Sequence, residues 1–491
     1  MVQTIVFEDG VVVYWDRAER YQKGSRYRVT YNDNVVYTDK THFSVAGAAE
    51  TALSFKISLV HENGEVAEEL GAAQVRLPKA KRKLDVTKAP YFAVGDGKTL
   101  NTAALQRAFD DCKANEAVYI PQGTFLTGAL NMHGDSELYL AEGATLQGTE
   151  DPDDYLPKIK SRFEGTERMC YRSLINMGEL DRNGGYNCKN VVIRGKGAIL
   201  GGGKALMENT VMRETGRSVV TVYDMDDLEL NAWRTRGRLI NISNTQNVVI
   251  YGIEAGMGPA WNIHMIYSDN IVTAGCYIHS ENVNNGDGWD PDSSTNCTLF
   301  HCDFKTRDDM VAIKSGKNPE GNVINRPTRN VRVFDCKSLA GHGLAIGSEM
   351  SGGVENVCVW DCDIAQSLCG LEIKATKKRG GYVKNVRMYH CQCPIIAIHS
   401  VGYNDEGEGS AVPPVFEDFY FEDIVVTGVC VITTGEKRLR PSVTVCGFDS
   451  EHTAKNIVFK NVTMKERAEN PMQTVELHFA ENVSLQNVVC E

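Results

Sequence analysis

The 491-residue chain has no run of about 18 consecutive apolar residues, so no membrane-spanning helix and no membrane partner are expected. Its first residues, Met1-Val2-Gln3-Thr4-Ile5-Val6-Phe7-Glu8-Asp9, carry neither the basic stretch nor the long apolar core of a secretory signal. The expected location is therefore the cytoplasm. A basic excess is missing too. Lys and Arg number 52 against 64 Asp and Glu, a net charge of −12, which argues against a nucleic-acid partner. An acidic small substrate fits that charge only if the site brings its own basic cluster. No Cys-x-x-Cys pair occurs among the 15 cysteines. Cys391 and Cys393 are too close for a usual zinc pair, and Cys358 and Cys362 lack a second pair of ligands. Reduced thiols and no structural metal are expected.

What is present begins with short β patterns. Val11–Trp15, Tyr27–Tyr31 and Ser54–Val60 are β-rich, and Asn32-Asp33-Asn34 is a turn signal between two of them. They predict a small β-sandwich over residues 1–84, and Tyr27 to Val60 resembles a fibronectin type III module. A basic, Pro-containing connector, Leu77 to Leu84, follows. Leu105, Ala108, Phe109 and Cys112 keep helical spacing, with Asn101 or Thr102 as the N-cap. From about 118 to 491 the chain is rich in strands and turns, with no helix expected between them.

An internal repeat decides the fold class of residues 85–491. Asn followed by alternating apolar residues recurs at Asn190, Asn247, Asn270, Asn296, Asn330, Asn356, Asn385, Asn456 and Asn482. Several spacings are 23, 26, 26 and 29 residues. A propeller blade needs about 40 or more, and no leucine ladder is present. The reading is all-β: a right-handed parallel β-helix with coils stacked at about 4.8 Å. Cys276, Cys302, Cys336, Cys362 and Cys391 each follow an Asn of the repeat by six residues, which predicts a buried, inert stack. The helix near 101–113 would cover the N-terminal end of that stack.

Three clusters carry chemistry. They are Asn285-Gly286-Asp287-Gly288-Trp289-Asp290, Arg307-Asp308-Asp309 with Lys314 beyond it, and Gly341-His342-Gly343. The 21 residues from Asp287 to Asp308 and the 34 from Asp308 to His342 are each about one coil. The groups can therefore converge on one face. Taken singly, Asp-Gly and Asp-Asp are turn residues or Ca²⁺ ligands. Together, three carboxylates on stacked strands repel one another and drive one pKa upward. A protonated carboxyl beside ionised ones is what acid–base cleavage of a glycosidic bond requires.

These motifs resemble those of the polygalacturonases of glycoside hydrolase family 28. Asn285-Gly286-Asp287 stands for the family's Asn-Thr-Asp, with Gly for Thr. Asp308-Asp309 and Gly341-His342-Gly343 are intact, and Gly347–Gly353 resembles bacterial exo-acting members. Asp96–Thr99, Tyr119–Phe125, Arg238–Ile240 and Trp261–His264 match as well. The resemblance covers about 90 to 465. It implies inversion, with Asp308 as general acid, Asp287 and Asp309 activating water, and His342 helping Asp308 hold its proton. It implies no metal or organic cofactor, and an acidic oligosaccharide as partner. His264, Arg307, Lys314, Lys374 and Tyr403 are candidate substrate contacts.

One departure stands out. The family's Arg-Ile-Lys, which grips the substrate carboxylate, reads Glu372-Ile373-Lys374. Either Glu372 pairs with Lys377, Lys378 or Arg379, and those cations bind the uronate, or the substrate is a rhamnogalacturonan or another decorated pectin fragment. Exo action is expected, with the N-terminal module and the segment from about Asp151 to Asn187 walling off one end of the cleft. The rival classes are a Ca²⁺-dependent β-eliminating lyase and a non-catalytic solenoid. An oligomer is compatible with the sequence but not specified by it.

Overall fold

The computed structural model describes residues 2–218, 225–403, 405–431, 437–465 and 474–491. The chain divides into two compact units, Met1–Lys83 and Leu84–Glu491.

The first unit holds a three-stranded and a four-stranded antiparallel sheet. In the strand Ala52–Val60, Leu53, Phe55 and Ile57 are buried while Ser54 and Lys56 are exposed. That period of two is the mark of a sheet with one covered face. Val13, Trp15, Tyr27 and Val29 complete the core between the sheets.

The second unit is a right-handed parallel β-helix. Among the described residues its coils build three long sheets of 13, 8 and 11 strands, and the pairing between successive coils is parallel. Inside, apolar residues stack coil on coil, as with Val248, Ile271, Cys297, Val331, Val357 and Val386 at matched positions. The nine repeat asparagines all have positive φ, from 51° to 61°, a region Asn tolerates better than most residues. Their amides link successive coils, for example Asn270 to Asn247 at 2.9 Å and Asn385 to Asn356 at 2.7 Å. Asp418 takes the same place in the coil of Val415–Val426 and accepts from Asn456 at 3.0 Å. The five stacked cysteines are buried.

Helix α1 (Thr102–Asp111) buries Leu105, Ala108 and Phe109 against the first coils. Asn101 precedes it but makes no capping bond; its side chain instead accepts from the Val94 amide at 2.7 Å. The expectation of no helices between coils fails at α2 (Gly203–Thr215) and α3 (Asp227–Trp233), which stand between the strands Ala198–Leu200 and Ile240–Ser243. Met207, Val211, Ala232 and Trp233 form a satellite core with Val283, while Leu206 joins the main core of the coils, so these helices pack on the outside of the β-helix.

The segment from Asp151 to Asn187 contains a hairpin, Ile159–Phe163 paired with Thr166–Cys170. It lies over the outward face of the 11-stranded sheet. Ser161 Oγ reaches Asn241 at 3.2 Å, the Phe163 ring stacks on Trp261 at 5.0 Å, and Arg162 donates to Asp292 at 2.7 Å.

Candidate active site

Asp287, Asp309 and His342 each precede by two residues a strand of the 11-stranded sheet: Trp289–Asp292, Val311–Ile313 and Leu344–Ile346. Those strands are consecutive neighbours, so equal offset becomes proximity. Backbone bonds fix the register, from Gly288 to the Asp309 carbonyl at 2.9 Å and from His342 to the Asp308 carbonyl at 2.9 Å. Gly343 has φ +92°, and a Cβ there would strike the Cys369 carbonyl oxygen, so the second glycine of Gly-His-Gly is a steric requirement. A Cβ on Gly286 would lie 2.6 Å from the Val283 carbonyl oxygen. That close approach explains Gly where Thr was the family pattern.

The side chains divide into two clusters. In the first, His342 Nδ1 lies 2.9 Å from Asp308 Oδ1 and 3.7 Å from Asp309 Oδ1, while Lys374 Nζ lies 3.8 Å from Asp309 Oδ2. In the second, Lys314 Nζ lies 3.1 Å from Asp287, 3.5 Å from Asp290 and 3.6 Å from Glu349, above the Trp261 ring. Asp290 is fully buried, and neither carboxyl oxygen has a hydrogen-bond partner. Asp290 and Glu349 stood in the motifs without a role being seen for them; their ion contacts with Lys314 supply it.

The electrostatics follow from burial and unequal cation supply. Burial, with Asp290, Asp308 and Asp309 nearby, pushes Asp287 well above the carboxylate range against the pull of Lys314. Burial lifts Asp290 to about 7. Asp287 and Asp290 thus compete for the charge of Lys314, and their titrations are coupled. Burial and Asp308 raise Asp309 despite Lys374. Burial opposes ionisation of Asp308 as well, but His342 and Lys374 outweigh it and hold Asp308 below its usual range. The same pairing lifts His342 above an ordinary histidine, although burial works the other way. The raised carboxyl pKa thus falls on Asp287, Asp290 and Asp309, while Asp308 is held ionised and the proton of its pair sits on His342. The ligand atoms of Asp308, Asp309 and His342 lie within 4.8 Å of one another, near enough to hold a cation, but His342 and Lys374 already supply positive charge there.

The remaining candidates separate. Glu372 does not pair with Lys377, Lys378 or Arg379. It takes Lys374 at 2.8 Å and His399 at 2.9 Å. Residues two apart on a strand share a face, and Lys374 sits beside His399 in register; the three are neighbours by sheet geometry. Lys377 pairs with Asp449 at 3.3 Å, and Lys378 donates to the Asp405 carbonyl at 2.9 Å. Arg379 is fully buried and donates to the Ser348 carbonyl and to Asn318, so it is not open to a ligand. His264 is also fully buried, 3.3 Å from Asp292 and edge-on to Trp261, with burial lowering its pKa to about 4. Arg307 and Tyr403 are accessible, and Tyr403 stands in the field of Lys374, Glu372, Asp309 and Glu349.

The hairpin 159–170 is tied down beside this site. The hairpin turn at Gly165 carries the carbonyl that accepts from the Lys317 amide at 3.0 Å. Glu164 of that turn pairs with Arg234 at 2.6 Å; Arg234 pairs with Glu406 at 2.7 Å; and Glu406 pairs with Lys317 at 2.7 Å. These ion pairs tie the hairpin, the end of α3 and the chain after Tyr403 together next to Lys314 and Glu349.

Residues 115–476 match the model of glycosyl hydrolases family 28. The chain is 25% identical over 450 residues to an exo-poly-α-D-galacturonosidase of Dickeya chrysanthemi, covering 85% of this chain and 73% of that one. It is 29% identical over 449 residues to an endo-polygalacturonase of Pectobacterium carotovorum, covering 85% and 99%. Among solved structures, a family 28 exopolygalacturonase of Yersinia enterocolitica superposes with a TM-score of 0.81 at 21% identity, over 99% and 98% of the two chains. An exopolygalacturonase of Thermotoga maritima gives 0.71 at 25% identity, over 84% and 92%. With the paired aspartates, Gly-His-Gly and the β-helix in place, this chain belongs to glycoside hydrolase family 28 and is a glycoside hydrolase.

Proposed function

We propose that this protein is an exo-acting, inverting galacturonosidase that cleaves α-1,4-galacturonosyl bonds from the end of pectin-derived oligogalacturonides. The similar proteins include exo- and endo-acting enzymes, so the mode of action is argued from the site. The observation that carries it is the hairpin 159–170, pinned over the sheet beside the carboxylates and tied to Arg234, Glu406 and Lys317. A cleft closed on one side admits a chain end and excludes a chain interior.

In the reaction, Asp308 delivers a proton to the leaving glycosidic oxygen. The Asp308–His342 pair supplies that proton, because the partnership raises His342 and so keeps a proton on the imidazole to higher pH than in a free histidine. Asp309 and Asp287 activate a water on the opposite side of the sugar ring, so that the anomeric centre inverts; carboxyl oxygens of Asp308 and Asp309 lie within 4.8 Å of each other, closer than the about 6.5–9.5 Å usual between acid and base in inverting enzymes. Lys314 and Lys374 limit how far burial raises these two carboxyls. Lys378, Lys377 and Arg307 are the accessible cations assigned to the substrate carboxylates. For the first unit, the three-plus-four strand arrangement supports a fibronectin type III-like module.

The test is a product time course on digalacturonate, trigalacturonate and polygalacturonate, with Asp308→Asn as control. Monogalacturonate from the first time point, lost in the variant, supports the reading. A second reading, hydrolysis of rhamnogalacturonan fragments, is favoured by Glu372 at the usual Arg position; it predicts no cleavage of all three substrates and cleavage of rhamnogalacturonan instead.

A further inference from the structure

On the far side of the hairpin from the carboxylates lies a groove of about 920 Å³, within the range that holds small ligands. Its floor is the first two strands of the 11-stranded sheet, Leu130–Met132 and Ile175–Met177, which pair in parallel. Lys158, Lys160 and Met169 of the hairpin segment form one wall, and Glu179 and Leu180 the other.

Its charge runs against that of the chain. Lys158, Lys160 and Arg172 line it against one acidic residue, Glu179, in a protein of net charge −12. Lys158 is committed to Glu214 at 2.7 Å, and Lys160, half exposed, lies 3.2 Å from Glu167. Arg172 is different. Its guanidinium donates to the Ala129 carbonyl at 3.4 Å, and among the described residues no carboxylate pairs with it. A partly buried guanidinium without a counter-ion, at the edge of a groove, is a place for an anion. Guanidinium favours planar carboxylates, which it can bind in two-pronged fashion. The rest of the lining suits a sugar. The half-exposed Met169 offers apolar surface to a ring face, and the exposed Asn131 offers an amide to hydroxyls.

We propose that this groove is a second binding site for an acidic oligosaccharide, separate from the carboxylate cluster, in which Arg172 takes a uronate carboxylate. That the anion is a uronate rests on the galacturonide reading. A polymer held there stays near the enzyme while another of its ends, or a neighbouring chain, is cut, and local concentration rises without any new catalytic contact.

The test is calorimetric titration of pentagalacturonate into the full-length Asp308→Asn protein, which does not consume the ligand. Two sites per chain are expected. Arg172→Gln in the same background should leave one. So should Met169→Glu, which places a negative charge on a half-exposed position of the wall and spares the packing. In the active protein, both substitutions should leave digalacturonate turnover within about twofold of the parent while raising KM for polygalacturonate several-fold. One site that persists unchanged through both substitutions would overturn the groove and leave the active-site reading standing. No binding in any variant would overturn both. Equal competition by inorganic phosphate would also overturn it, since it would make the groove a general anion site.

Discussion

Lys374 is shared between two carboxylates, and that competition sets the charge on Asp309. Glu372 holds it at 2.8 Å and Asp309 at 3.8 Å. Replacing Glu372 with Gln frees the cation for Asp309 and makes that carboxyl more acidic, so the acid limb of the pH–rate profile should move to lower pH. An unmoved limb would remove Asp309 from the base role. The alkaline limb belongs to the Asp308–His342 pair. His342 is raised above its usual value, so its proton is present below that value and is lost as pH rises through it. His342→Gln should bring the alkaline limb down and lower kcat by about 10²- to 10⁴-fold, the ordinary worth of a positioned acid or base. At this scale the sequence is informative where a motif prescribes a role. Asp287, Asp308, Asp309 and His342 converge as their spacing predicts. Asp290 and Glu349 do not announce themselves, because their part depends on a lysine that reaches them from the next strand. The partner of Glu372 is hidden for the same reason: His399 is 27 residues away in sequence but one strand away in space.

At the scale of elements, the hairpin 159–170 is held by a fully buried ion pair, Arg162 with Asp292 at 2.7 Å. Removing one partner of such a pair leaves an unpaired buried charge and costs about 3–5 kcal/mol. Arg162→Met should therefore lower the thermal midpoint, and at lower temperature it should loosen the hairpin and release oligomers longer than the monomer. Asp292 is held down to about 2: burial opposes this, but Arg162 and His264 outweigh it. The folded value lies below the ordinary one, so the stability it contributes is present above about pH 4 and is lost as pH falls towards 2. That acid-side slope of the midpoint against pH should flatten in Arg162→Met. The coils themselves are readable in the sequence because one asparagine per coil must take positive φ. The coil of Val415–Val426 escapes that pattern, since Asp418 replaces the asparagine there. Helices α2 and α3 escape it too, although Asp226 and Glu229 form a capping box that a search for helix starts could have found. The hairpin carries no repeat signal, and only the contacts of Arg162, Phe163 and Gly165 reveal what it does.

For the whole molecule, the account joins a stack of coils that brings acids together with an inserted hairpin that closes one side of them. Fold and chemistry follow from the repeats and motifs, whereas mode of action depends on a segment whose sequence reads only as an insertion. The most direct measurement is the product pattern from polygalacturonate with viscosity followed in parallel. The account predicts monogalacturonate as the product from the start, with viscosity falling slowly as cleavage proceeds. A spread of longer oligomers with an early collapse of viscosity would contradict it, and would mean that the hairpin does not close the cleft to a polymer interior.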